Sequence, residues 1–179
     1  MKQFVIPSVN NLRFLDQACN GDAPILFLTK TNICNLHGIV EPIHAAKKKA
    51  FVHLEFMNGF KADREGLKLL KNAYKVDGVV SANLHALFEA NSLGLETIYR
   101  LFLVDSISLE RSENVLKGAH FSGIEVLPAI NAIEEVQDLK EKLPNEFLIA
   151  GGFVRKQEVI NRAFREGYTA VDTSDPTLW

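Results

Sequence analysis

Short, almost continuous runs of apolar residues alternate along the chain with longer segments in which apolar residues recur every three or four positions. The short runs are typical of strands buried on both faces, and the longer segments are typical of helices that pack one face against a sheet. The pattern predicts eight strands, over residues 3–6, 25–28, 50–56, 77–81, 96–104, 122–127, 147–150 and 168–171.

Seven helices are predicted between these strands, over residues 8–18, 33–48, 63–74, 83–93, 105–117, 131–143 and 154–166. Ser8 and Asp63 are good N-terminal caps for the first and third helices, and Gly94 suits the position just after the fourth. Asp105-Ser106 is expected to cap the fifth helix. Pro42 lies within the second helix, so we expect it to kink that helix or to begin its second half.

Strands and helices that alternate at a spacing of roughly twenty residues favour parallel β-α units, and eight such units favour a closed barrel. We therefore predict an α/β fold, a small TIM-type (β/α)₈ barrel formed by a single domain over residues 1–179. Because only residues 175–179 follow the eighth strand, we expect short loops and a truncated or missing last helix. The alternative is a doubly wound open sheet, which predicts a glycine-rich turn after the first strand, but residues 6–10 contain no glycine.

Composition narrows the class of protein further. Hydrophobic residues make up 47% of the 179 residues, which is enough to bury a sizeable core. The net charge of −2 argues against binding of nucleic acid through a general basic excess, so any contact with RNA has to be local. Cys19 and Cys34 form neither a metal-binding spacing nor a disulfide framework. Without a long apolar run or a signal peptide, we expect a cytoplasmic protein that does not contact membranes.

The ends of the last two strands carry the clearest candidate site. Gly151 and Gly152 follow the seventh strand, and Thr173 and Ser174 follow the eighth. Side by side, these residues would present backbone N–H groups and hydroxyls to an anion, and phosphate commonly binds after the last two strands of such a barrel. The alternative is structural: the glycines only relieve crowding, and Thr-Ser only caps a short helix.

Other polar residues are expected at the same ends of the strands, where barrel proteins carry their function. Arg100 lies between apolar neighbours and needs a partner, for which Glu55 and Glu125 are candidates. This cluster either positions a polar ligand or forms a self-satisfied ionic plug, and we expect Arg100 to lie away from an anion held by the last two strands. His53 is either an acid–base partner of Glu55 or a hydrogen-bonded core residue. The full set of polar strand-end candidates is His53, Glu55, Ser81, Arg100, Asp105 and Glu125.

Catalytic signatures are not evident in the sequence. It contains no nucleophile elbow, zinc spacing or Walker loop, and Lys30 is the only lysine expected at a strand end. We therefore expect no enzymatic activity, no metal and no cofactor. A basic face formed by Arg155, Lys156, Arg162 and Arg165 is typical of a solvated helix, with contact to a phosphate backbone as the alternative. An RNA-recognition motif and interleaved aromatic residues are also not evident.

Several segments together resemble the glycerol uptake operon antiterminator regulatory proteins. The resemblance covers nearly the whole chain, and the segments that carry it are residues 51–55 with Gly59, 77–81, Arg100–Ser106, 124–128, Ala150-Gly151-Gly152, Thr173-Ser174 and Leu178-Trp179. The parts from Arg100 to Ser106 and from Glu125 to Pro128 are the most specific.

This resemblance implies a small TIM-type barrel without an established enzymatic role. Members of the family are thought to bind glycerol 3-phosphate and then the leader mRNA of glycerol genes, which prevents a terminator from forming. The phosphate would lie at Gly151, Gly152, Thr173 and Ser174, and the hydroxyls at the polar strand ends. Whether the protein forms a homo-oligomer stays open.

The chain departs from the family pattern at several positions. Glu55 stands where Asp is usual, and Ala82-Asn83 stands where Thr and a basic residue are expected. Ala129 replaces an expected Gly, and Asp172 replaces an expected Ser. An acid beside a phosphate is unfavourable unless it points away or is paired. Two alternatives therefore remain: a barrel enzyme that acts on a sugar or polyol phosphate, with Glu55, Glu125 or His53 as base, and a diverged metabolite sensor that binds no RNA.

Overall fold

Eight parallel strands close into a barrel in chain order in the computed structural model of the protein. The structure describes residues 2–179 except 106, 109, 111–115, 117–118 and 145. The strands are β1 Phe4–Val9, β2 Ile25–Leu28, β3 Lys49–His53, β4 Gly78–Ser81, β5 Glu96–Phe102, β6 Gly123–Leu127, β7 Leu148–Ala150 and β8 Ala170–Thr173. Pairing of β1 with β8 closes the barrel, with Phe4 opposite Ala170 and Pro7 opposite Thr173. The predicted barrel is confirmed.

Helices connect the strands on the outside of the barrel. They are α1 Leu15–Asn20, α2 Leu36–Ala45, α3 Arg64–Asn72, α4 Leu84–Ser92, α5 Ala129–Glu134, α6 Val136–Lys142 and α7 Gln157–Arg165. The chain ends in a single 3₁₀ turn, Pro176–Leu178, so the last helix is truncated as predicted. The helix predicted over 105–117 falls largely on residues outside the described part of the chain.

The interior of the barrel is filled by one side chain from most strands. Alternation along each strand sends Ile6, Phe27, Phe51, Val80 and Ile98 inward with Ile149 and Ala170, and all seven are buried. Two residues further along several strands, the same alternation sends polar side chains inward. The layer of seven apolar side chains therefore lies one level below the C-terminal mouth, and a layer of polar side chains lies between it and the mouth.

The first strand is longer than the sequence indicated. It continues through Pro7 and Ser8 to Val9, and the predicted helix start at Ser8 is wrong. The Ser8 hydroxyl lies 3.0 Å from Thr29 Oγ1 on the neighbouring strand end, so it does not cap a helix. Asn11 takes that role instead, because its side chain accepts a hydrogen bond from the Arg13 N–H at the start of a 3₁₀ turn.

The third strand is shorter than predicted. It ends at His53, and residues 54–56 form a 3₁₀ turn, Leu54–Phe56. The strand predicted over residues 50–56 would place His53 and Glu55 on one face, but a 3₁₀ turn does not keep the two-residue alternation of a strand, so this prediction is wrong. His53 is buried, whereas Glu55 is exposed.

Three further helices differ from the sequence pattern, and the last of them begins at Gln157 instead of residue 154. The second begins at Leu36 instead of residue 33, because Asn32 and Asn35 each accept a hydrogen bond from the other's backbone N–H and hold the preceding residues in a turn. The helix predicted over 131–143 is two short helices, α5 and α6, which meet at Glu135.

Candidate functional site

A cavity of about 330 Å³ opens at the C-terminal mouth of the barrel. It lies where the polar inward layer meets solvent, at the end of the barrel at which this fold carries its sites. Its lining residues are Ser8, Asn10, Thr29, Lys30, His53, Phe56, Arg100, Glu125, Leu127, Gly152, Phe153, Val154, Arg155, Asp172, Thr173 and Ser174.

Arg100 and Glu125 form a buried ion pair at the centre of this layer. They lie directly opposite each other on β5 and β6, and Arg100 Nε donates to Glu125 Oε2 over 2.8 Å. Only 10% of the arginine side chain and 1% of the glutamate side chain are exposed. The guanidinium lies 5.4 Å from the Phe56 ring centroid and 5.2 Å from that of Phe102. Its two terminal nitrogens have no hydrogen-bond partner among the described residues, so they are free to bind a ligand.

Glu55, the other candidate partner of Arg100, is held elsewhere. Its Oε1 accepts hydrogen bonds from Ser81 Oγ and from the Ala82 N–H, both over 2.6 Å. Neither Glu55 nor Ser81 lines the cavity. In this structure the two side chains tie the turn after β3 to the end of β4.

Asp172 and Glu125 bring two carboxyl groups together over the backbone of Gly151. A Cβ atom placed on Gly151 would lie 1.9 Å from Asp172 Oδ1 and 2.9 Å from Glu125 Oε1, so this position requires glycine. Burial and the neighbouring Glu125 charge raise the pKa of Asp172 well above its usual range. Asp172 Oδ1 is buried and meets no donor among the residues that the structure describes. The raised pKa favours a proton on Asp172, which can be donated to Glu125, the ion-pair partner of Arg100.

His53 projects into the same layer as a neutral ring. It is 3% exposed, and within the described part of the chain neither ring nitrogen has a hydrogen-bond partner. The ring meets Phe27 edge-on at 5.4 Å and stacks on Phe56 at 5.8 Å. Burial, assisted by the Arg100 charge, lowers the pKa of His53 to about 3. The structure therefore leaves one unused donor and one unused acceptor at the wall of the cavity, which is what a bound hydroxyl requires.

The proposed phosphate cradle is assembled in part. Gly152 (φ +78°), Thr173 and Ser174 line the cavity together, whereas Gly151 lies beneath the two carboxyl groups and does not line it. Thr173 Oγ1 donates to the Val154 carbonyl over 2.7 Å and accepts from the Asp175 N–H over 3.1 Å. This hydroxyl thus braces the loop after β7, and Ser174 is exposed with a hydroxyl that can bind a ligand.

Two further cations lie at the mouth. Lys30 and Arg155 follow β2 and β7 and line the cavity beside Arg100. The sequence places Lys30 at a strand end as expected, but it groups Arg155 with a helix face. Arg155 in fact precedes α7 and follows the glycine pair by three residues, and that spacing is the available signal. Three cations therefore face two carboxyl groups in the cavity, and the raised pKa of Asp172 favours its neutral form. The cavity therefore attracts anions, and Arg100 lies in the same space as Thr173 and Ser174, contrary to expectation.

Asp105 is not part of this cavity. It lies after β5, where its Oδ1 accepts a hydrogen bond from the Ser108 N–H over 2.7 Å. It lines a separate, acidic depression with Leu103 and Asn131 on the outside of the barrel. Its predicted partner in capping, Ser106, lies outside the described residues.

The described residues form neither a metal-binding cluster nor a helix that could span a membrane. Within the described ranges, no group of three or more His, Cys, Asp or Glu side chains could hold a metal ion. No helix in the same part of the chain is long and apolar enough to span a bilayer.

Together, the fold and the cavity define a TIM-type barrel whose C-terminal mouth suits a small anion. The family described as glycerol-3-phosphate responsive antiterminator matches residues 5–179, and the chain belongs to this family. The resemblance found in the sequence motifs is thereby confirmed.

Individual relatives agree with this assignment. The glycerol uptake operon antiterminator regulatory protein of Listeria monocytogenes superposes with a TM-score of 0.89 at 28% identity, covering 100% of this chain and 96% of that protein. A glycerol uptake operon antiterminator-related protein of Thermotoga maritima has a TM-score of 0.86 at 24% identity, covering 100% and 99% of the two chains, and shows the fold alone. Among curated sequences, the uncharacterized protein YgcP of Escherichia coli (strain K12) is 29% identical over 175 residues, which cover 98% of this chain and 91% of YgcP.

Proposed function

We propose that this protein is a regulatory antiterminator that binds glycerol 3-phosphate in the mouth cavity and acts on the leader mRNA of glycerol-utilisation genes. The observation that carries the effector part is the charge of the cavity, where the three cations Lys30, Arg100 and Arg155 outnumber the two carboxyl groups of Glu125 and Asp172. The regulatory part rests on membership of the antiterminator family.

The size and chemistry of the cavity favour a small polyol phosphate. Its volume of about 330 Å³ lies at the low end of the range for small-molecule sites, roughly 300–1,000 Å³. In our proposal the phosphate lies between Lys30, Arg155 and Ser174, on the side of the mouth formed by β7, β8 and β2. The glycerol hydroxyls lie deeper, where His53 offers a free donor and acceptor and Arg100 offers free N–H groups.

Asp172 fits this proposal once its protonation is taken into account. An ionised aspartate beside a phosphate would repel it, but burial and the neighbouring Glu125 charge raise the pKa of Asp172 and so favour its neutral form. The replacement of the family's usual Ser by Asp is therefore compatible with an anion in the cavity.

In vitro transcription through the leader and terminator of a glycerol-utilisation gene from the same genome tests this function. We expect readthrough to rise when the protein and glycerol 3-phosphate are both present, and not with glycerol in place of its phosphate ester. Lys30→Ala should need more effector, because it removes a cavity cation. Lys61→Ala, whose side chain pairs with Asp63 away from the cavity, is the matched control. Readthrough that is indifferent to glycerol 3-phosphate would refute the proposal.

An enzyme acting on a small sugar phosphate is the second candidate. The observation in its favour is that two groups in the cavity have strongly shifted pKa values, His53 downward and Asp172 upward, as acid–base residues often do. Deuterium exchange into dihydroxyacetone phosphate, followed by NMR, tests it. Catalysed exchange at the carbon next to the carbonyl would favour the enzyme, and exchange at the buffer rate would exclude this proton abstraction.

A further inference from the structure

The loop after β7, residues 151–156, has two faces. Gly152, Val154 and Arg155 line the cavity, while Phe153 is 78% exposed to solvent. The Arg155 guanidinium lies 5.6 Å from the centroid of the Phe153 ring. Phe153 also has a φ of +57°, a conformation that a bulky residue adopts only at a cost. Neither burial nor backbone preference explains an aromatic ring here, and most of the ring surface is available to a partner.

A second arginine–aromatic pair lies close by. In the loop after β1, the Arg13 guanidinium lies 4.4 Å from the Phe14 ring centroid, and Phe14 packs edge-on against Trp179 at 6.3 Å. Because β1 and β7 both flank β8, the two loops start about 10 Å apart, which is two strand spacings. One edge of the mouth thus carries two aromatic rings, each with an arginine against it.

The charge on this edge differs from that of the chain as a whole. The loops that follow β1, β2, β7 and β8, up to the start of the next α-helix or the last residue, carry four cations, Arg13, Lys30, Arg155 and Lys156. Their single acid is Asp175, whose carboxylate accepts from the Thr177 N–H over 3.0 Å. A protein with a net charge of −2 therefore has a basic, aromatic half-mouth.

We propose that this half-mouth, defined by Arg13-Phe14 and Phe153–Lys156, is the surface on which unpaired bases of RNA stack. The inference rests on the proposed function and adds to it the contact surface and the single-stranded state of the RNA. Proteins that bind single strands combine a basic groove with aromatic faces on which bases stack, and duplex RNA does not offer its bases in this way. Two copies of the chain that met symmetrically through this edge would bring their Arg155 side chains together, which disfavours a dimer there.

The same loop connects the effector to the RNA. Arg155 lines the cavity and also lies against the Phe153 ring. A phosphate in the cavity competes for this guanidinium and uncovers a face of the ring for a base. Effector binding and RNA binding are therefore positively coupled in this account.

Fluorescence anisotropy with a labelled, 25-nucleotide, random-sequence pool of single-stranded RNA tests the surface at about 50 mM salt, where phosphate contacts are strong. Each protein is measured with glycerol 3-phosphate at a saturating concentration. Phe153→Leu keeps an apolar side chain but removes the aromatic face, and Phe153→Trp restores it. Phe88→Leu is the matched control, because Phe88 is 45% exposed but stacks on Phe121 at 5.9 Å on the outer helix layer.

We expect Phe153→Leu to weaken binding of the RNA pool by roughly 5- to 150-fold, the range for loss of one stacked base. Phe153→Trp should bind at least as tightly as the wild type, Phe88→Leu should be unchanged, and a duplex of the same length should bind more weakly. Wild-type affinity should rise when glycerol 3-phosphate is added.

Three outcomes would overturn the inference. The first is a Phe153→Leu protein that binds RNA like the wild type while the wild type still responds to glycerol 3-phosphate; the proposed function would then survive. The second is an equal loss in Phe88→Leu. The third is a wild-type protein that self-associates through Phe153, seen by sedimentation as a dimer that Phe153→Leu dissociates. Failure of the wild type to bind any RNA would remove the RNA part of the proposed function as well.

Discussion

A buried carboxylic acid, Asp172, decides the charge of the mouth cavity. Its neighbour Glu125 is paired with Arg100, and the two carboxyl groups meet over Gly151, where no side chain would fit. The sequence allowed the Arg100–Glu125 pair to be predicted, because a charge within an apolar strand needs a partner. It did not allow the proton on Asp172 to be predicted, because that depends on two strands, β6 and β8, that are not even adjacent in the sheet.

Asp172→Asn tests the shared proton. The pKa of Asp172 in the folded protein is raised above its ordinary value of 3.8. The stabilisation that the protonated Asp172 provides is therefore complete below pH 3.8, and it is lost as the pH rises toward the folded-state pKa. Asparagine stays neutral and can still donate to Glu125. We therefore expect the free energy of unfolding of Asp172→Asn, relative to the wild type, to increase with pH above 4, by at most about 1.4 kcal/mol per unit. Urea denaturation at a series of pH values measures this, and parallel curves would contradict it.

Arg100→Ala tests the ion pair. Removal of the arginine leaves the Glu125 charge buried without a partner, which typically costs about 3–5 kcal/mol. Combining it with Glu125→Gln should recover part of this loss, since the unpaired charge is then gone. Chemical denaturation of both variants provides the comparison. A single variant with wild-type stability would show that water reaches Glu125 and that the pair is not buried in solution.

The loops after the strands determine which predicted site residues meet. Alternation correctly sends His53, Arg100 and Glu125 inward from three different strands. The 3₁₀ turn after β3 removes Glu55 from this set, and a local turn of that kind has no hydrophobic period that a sequence pattern reveals. The loop after β7 contributes Arg155 for a similar reason, because a left-handed Phe153 redirects the chain at a position where the sequence favoured the start of a helix.

Phe153→Gly tests whether the loop stores strain for function. Glycine adopts a positive φ at no steric cost, whereas other residues lose about 1–2 kcal/mol there, and Phe153 buries little surface. The relief of strain is offset in part by the greater flexibility of three successive glycines in the unfolded chain. We therefore expect a net gain in the free energy of unfolding of at most about 1 kcal/mol over the wild type. Phe88→Gly, within α4, is the control and should lose about 1 kcal/mol or more. Equal destabilisation of both variants in thermal unfolding would refute the strain argument.

The whole molecule is a barrel whose charge is divided around its mouth. Regular alternation of strands and amphipathic helices was sufficient to predict the closed barrel, because each unit has to bury its own apolar faces. The net charge of −2 did not indicate the basic half-mouth, because it is a total over the whole chain and carries no information on position. Only closure of the barrel brings Arg13, Lys30 and Arg155 to the same edge. The sequence also did not predict that Phe14 and Phe153 lie on the same edge of the mouth, because most of the chain separates them.

The salt dependence of RNA binding tests this division of charge. For single strands, each phosphate contact contributes about 0.7 to the slope of log affinity against log salt. Lys156, which belongs to the half-mouth but does not line the cavity, is the cation to remove, and Lys156→Ala should therefore lower the slope by about 0.7. Arg165→Ala, an equal change of charge in the last turn of α7, should leave the slope unchanged. Equal slopes for all three proteins would place the RNA away from the mouth.

The central claim is that the mouth cavity binds glycerol 3-phosphate, and thermal unfolding with and without this compound tests it most directly. At about 100 times the dissociation constant, a ligand that binds only the folded protein adds roughly 2.7 kcal/mol, which corresponds to a rise of about 5–10 °C for a chain of this size. We expect a rise that depends on dose, that glycerol does not reproduce, and that Lys30→Ala shifts to higher concentration. An unchanged melting temperature at millimolar glycerol 3-phosphate would contradict the account.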